Sequence, residues 1–129
     1  MKKIIFVIIS LIGLKTLQSQ TTITLGSGSF SSGTQESSPI NIWYRSHHCQ
    51  ILYTSTELNA AGWTGQAQIS QLGFNIVSSP VYSLPNFTIK LKNTSNSDVS
   101  LDDAVGLTTV YNAALYGPTS GGFELLNLT

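Results

Sequence analysis

The chain has 129 residues, of which only six are Lys or Arg and six are Asp or Glu. Cations so few and so scattered exclude a phosphate-tracking surface, because binding to nucleic acid or anionic membrane rests on several clustered Lys or Arg contacts. Cys49 is the single cysteine, so no internal disulfide can staple the fold and packing must stabilise it.

Lys2 and Lys3 precede an apolar run over residues 4–14, and a polar stretch ends in Ser19 and Gln20. This is the three-part pattern of a secretory signal peptide, with cleavage expected near Ser19 or Gln20. A transmembrane anchor fits poorly, since the run stops at Lys15 and falls short of the roughly 20 apolar residues needed to cross a bilayer. Export removes Lys2, Lys3 and Lys15. It leaves Arg45, Lys90 and Lys92 against six acids, a net charge of −3. About 109 residues then remain, enough for one small domain. Cys49 lies too far downstream to be the lipidated cysteine of a lipoprotein. The mature chain is expected to be secreted or at the cell surface, without membrane insertion.

Residues 21–25 (TTITL) alternate and are rich in β-branched side chains, which predicts a first strand. Small polar residues dominate 26–38, a loop. Residues 39–44 (PINIWY) and 49–53 (CQILY) read as a hairpin with its tip at Arg45, Ser46, His47 and His48. Residues 54–62 break the pattern: Thr54 or Ser55 can cap a short helical turn near 55–61, which Gly62 can end in a left-handed conformation. From Gln66 to Val77 the apolar residues Ala67, Ile69, Leu72, Phe74 and Ile76 keep period two, with one shift after Ile69 that a bulge absorbs. Residues 86–93 (NFTIKLKN) give the clearest strand, Phe87, Ile89 and Leu91 alternating with Thr88, Lys90 and Lys92. A polar connection over 95–103, a short apolar segment over 107–111, a Gly and Pro turn region over 116–122 and an imperfect alternation over 123–128 complete the chain. Short strands separated by turns predict an all-β, antiparallel β-sandwich of jelly-roll type. Its final strand runs to Thr129, from which a fragment of a longer secreted protein is expected.

The segments YTSTELNAAG (53–62), ISQLGFNI (69–76) and LPNFTIKLKNTS (84–95) occur in an order that resembles a domain near the start of many secreted Bacteroidetes proteins. VYNAAL (110–115) and GGFELLNL (121–128) are similar to the same pattern, so the resemblance spans nearly all of residues 21–129. It implies a β-sandwich placed ahead of fibronectin-like repeats, peptidases or other modules. Such proteins carry a C-terminal sorting domain for type IX secretion, which this sequence lacks. The resemblance brings no catalytic residues with it.

Candidate chemistry is sparse. His47, His48 and Cys49 are metal-ligand types, but neighbours on a strand point to opposite faces and cannot all grip one ion. No nucleophile elbow accompanies either histidine. Asp98, Asp102 and Asp103 form a carboxylate-bearing loop that could offer oxygen ligands to calcium, against the ordinary alternative of a solvated acidic loop. Asn86, Asn93 and Asn127 head glycosylation sequons, which matter only in a host that reads them. Among the aromatics, Trp63, Trp43 and Tyr44 are the candidates for stacking on sugar rings, with core packing as the competing use.

These features predict a noncatalytic module for adhesion, carbohydrate contact or domain spacing, whose partners are polysaccharide or other surface proteins. One alternative is the N-terminal accessory domain of a secreted hydrolase. Another is a self-assembling surface subunit whose open sheet edges pair.

Overall fold

In a computed structural model of the chain, the described residues are 20–26, 39–40, 46–99, 104–119 and 121–129. The first regular element among the described residues is α1, Ser55–Ala60. Thr54 caps it reciprocally: Glu57 N–H donates to Thr54 Oγ1 at 3.2 Å, and Thr54 N–H donates to Glu57 Oε2 at 2.7 Å. At the other end Gly62 takes φ +100°, its N–H donating to Asn59 O and that of Trp63 to Leu58 O. These two bonds satisfy carbonyls that a helix end would leave orphaned. Capping at both ends confines α1 to the span expected for a helical turn.

Four strands follow: β1 Gln71–Ile76, β2 Leu84–Leu91, β3 Thr108–Tyr116 and β4 Gly122–Asn127. β1 pairs with β4 and β2 with β3, both antiparallel, giving two small two-stranded sheets. The β2–β3 hairpin is thus nested inside the β1–β4 pair. Among the described residues there is one short helix, and the arrangement is all-β.

Alternation assigns the faces. In the β1–β4 ribbon Leu72, Phe74, Ile76 and Leu126 share one face with Glu124, and Gln71, Gly73, Asn75, Phe123, Leu125 and Asn127 share the other. In the β2–β3 ribbon Phe87 stacks on Tyr116 at 4.5 Å between ring centroids and meets Tyr111 edge-on at 6.2 Å. The register slips by one beyond Ile89, leaving Val110 as the extra residue of a bulge. Its carbonyl accepts the N–H of Thr129 at 2.9 Å, so the residue after β4 reaches the bulge of β3. At the opposite end an added Cβ on Gly117 would lie 2.9 Å from Ser83 Oγ, so the two inter-ribbon connections run in close contact. Ile76, Tyr116 and Leu126 are the buried hydrophobic residues among those described.

Several expectations need correction. Residues 21–25 form no strand, and 49–53 run irregularly into α1 in place of a hairpin arm. β-propensity alone does not make a strand; each needs a partner to take its backbone groups, and none of the described strands pairs with either segment. β1 begins at Gln71, so 66–70 lie outside it and the bulge expected there is absent. β3 continues through Ala113, Ala114 and Leu115 to Tyr116, well past the expected 107–111. The signal peptide expected over 1–19, most of the loop expected over 26–38, the expected hairpin arm with Trp43 and Tyr44, and Asp102 and Asp103 lie outside the described residues.

Candidate functional site

Of the expected site residues, Trp63 and Asp98 are described, and Trp63 does not line the groove that Asp98 lines. Trp63 follows the end of α1 half-buried, its indole Nε1 donating to Gly65 O at 2.9 Å. The polar edge of the ring is therefore satisfied by its own loop. Asp98 lines an open groove of about 440 Å³ together with Gln50, Ile51, Thr54, Glu57 and Val99. Glu57 is committed to the α1 cap, whose hydrogen bonds, backbone first, hold its carboxyl below the usual glutamate range. Among the described residues no group of three His, Cys, Asp or Glu side chains is placed to hold a metal ion.

Next to this groove, burial raises the Cys49 thiol above its ordinary value, which keeps it protonated and a poor nucleophile. Burial, then Glu57, then Cys49 raise the Tyr53 hydroxyl. His47 is half-buried and His48 exposed. Carboxylates, a thiol and hydroxyls thus neighbour one another, but the thiol is unactivated and the one well-placed carboxylate serves the helix.

A different surface stands out. On the outer face of the β1–β4 ribbon Phe123 is 59% and Leu125 54% exposed. Leu125 faces Gly73 across the ribbon, and Cδ2 of Leu125 would be 2.7 Å from a Cβ at that glycine. Gly73 thus gives the leucine side chain room to lie across β1. Uncharged amides frame the pair: Asn75 is opposite Phe123, and Gln71 Nε2 donates to Asn127 Oδ1 at 2.7 Å. Sequence reading missed this face. The available signal was apolar residues at both parities in FELL (123–126), which a strand with one solvated face does not carry.

No family model matches the chain, and the searches of curated proteins and of solved structures give no match. Among the described residues no helix is long and apolar enough to cross a membrane.

Proposed function

We propose that this chain is a noncatalytic, secreted β-sandwich module that works by surface contact, in adhesion or carbohydrate binding, as part of a cell-surface system. The observation that supports this reading best is the outer face of β1–β4, where uncharged amides frame exposed Phe123 and Leu125. A sugar ring offers C–H groups to an apolar surface and hydroxyls to amides that both donate and accept, so a neutral polysaccharide suits this face. In the sandwich reading the two ribbons are its layers, with Leu72, Phe74, Ile76 and Leu126 turned toward Phe87, Ile89 and Tyr111. The N-terminal export pattern supports secretion, as does the resemblance to leading modules of secreted Bacteroidetes proteins.

A glycan array followed by titration of the intrinsic fluorescence tests the proposal. The expected outcome is binding to a neutral polysaccharide that weakens at least about tenfold in Phe123→Ala. Binding lost in Trp63→Ala and kept in Phe123→Ala moves the site to the end of α1. An array with no response removes carbohydrate as the ligand.

A further inference from the structure

The free edge of β1 is chemically palindromic. Leu128 N–H donates to Ser70 O, which makes 70 and 128 a hydrogen-bonded pair. In an antiparallel ladder bonded and non-bonded pairs alternate, so 72 with 126 and 74 with 124 are bonded as well. The backbone N–H and C=O groups of Gln71, Gly73 and Asn75 then point away from β4. They make no hydrogen bond to any described residue.

Natural proteins blunt such edges with Pro, Lys or a local kink. β2 has all three: Pro85, Lys90, and Asn86 at φ +54°. β1, with the sequence QLGFNI, has none. About Gly73 its side chains instead read amide, apolar, glycine, apolar, amide from Gln71 to Asn75.

We propose that β1 pairs antiparallel with β1 of a second copy, on a two-fold axis through Gly73. That register places Gln71 opposite Asn75 of the second copy and Leu72 opposite its Phe74. Amides then meet amides on one face and apolar side chains meet on the other, and no like charges are opposed. The outward groups of residues 71, 73 and 75 become the bonded set, giving a four-stranded sheet ordered β4, β1, β1, β4. A leucine from each β4, lying toward its own Gly73, covers the paired glycines at the axis. The occupant is a second copy because the pattern is complementary to itself and uncharged throughout.

Sedimentation velocity of the purified chain over a wide concentration range, with two double variants, tests the pairing. Gln71→Lys with Asn75→Lys sets lysine against lysine twice across the axis. Gln71→Lys with Asn75→Glu sets lysine against glutamate in the same places. Both variants lose the same Gln71 to Asn127 hydrogen bond, and far-UV circular dichroism confirms that both fold. The wild-type chain is expected to dimerise reversibly, the Lys/Lys variant at least about tenfold more weakly, and the Lys/Glu variant close to wild type. A wild-type chain that stays monomeric overturns the proposal. So do two variants that associate equally. Neither result bears on carbohydrate binding, which is read from Phe123.

Discussion

Tyr116 brings opposing contributions together in one side chain. Its ring is buried and stacks on Phe87, while its buried hydroxyl lies near the Glu124 carboxylate without reaching ordinary hydrogen-bond geometry. An unpartnered buried hydroxyl costs about 1–3 kcal/mol, whereas truncating a buried aromatic ring loses about 3–5 kcal/mol. Tyr116→Phe is therefore expected to be neutral or mildly stabilising and Tyr116→Ala strongly destabilising, as urea unfolding will show. Burial first, then the Glu124 carboxylate, push the hydroxyl up to about 12 from an ordinary 10.0. The unfolded chain thus releases this proton first as pH rises. The stability linked to Tyr116 is complete below the unfolded value and is lost as pH climbs through the folded one. Unfolding measured across the alkaline range should show that decline in wild type and a shallower one in Tyr116→Phe.

At the scale of single elements, α1 was legible because its information is local. Thr54, Glu57 and Gly62 meet their partners within a few residues, and TSTE is a capping-box pattern readable in the sequence. Thr54→Ala should destabilise the helix by about 1 kcal/mol, seen as lost helical chemical shifts over residues 55–60. The Glu57 carboxyl titrates below its ordinary value because Thr54 bonds its charged form. Its support of α1 is present above the unfolded value and fades as pH falls through the lowered one. An NMR titration should find that depression reduced in Thr54→Ala, which removes the hydroxyl donor, but not abolished, because the backbone N–H of residue 54 still donates to Glu57. Strands were legible only where alternation coincided with a partner. Phe87, Ile89 and Leu91 alternate and pair with β3, while the equally apolar Cys49, Ile51 and Tyr53 pair with none of the described strands. Partnering is long-range information, as is the outer face of β1–β4, where Gly73 matters only because Leu125 is opposite. In Gly73→Ala the new methyl would lie 2.7 Å from Leu125 Cδ2 and 3.1 Å from Glu124 O. The leucine tip can swing aside but the backbone oxygen has less freedom, so a loss of about 1–3 kcal/mol is expected. Adding Leu125→Ala should recover part of it, and a double-mutant cycle measures that part.

The whole molecule has an uneven distribution of burial that sets the order in which it opens. Among the described residues Ile76, Tyr116 and Leu126 are the buried hydrophobics; Ile76 and Tyr116 end the strands where the ribbons join through 77–83 and 117–121, and Leu126 lies toward the other end of β4, opposite Leu72. α1 has no buried residue and is held by its caps. Segments with few buried apolar contacts open locally at low free-energy cost, while the best-packed strands open only with the whole. Hydrogen exchange should therefore be fast in α1, and slowest at Leu72, Phe74 and Leu126, whose amides belong to the bonded pairs of β1–β4. The interleaved amides of Gln71, Gly73 and Asn75 carry the sharper test. In dilute solution they should exchange rapidly although their neighbours are protected, because alternation points them off the edge. At concentrations where the chain dimerises they should become protected, while α1 stays fast. Equal protection of α1 and Leu126 would instead mean that the molecule opens as one cooperative unit, with its stability spread well beyond Ile76, Tyr116 and Leu126.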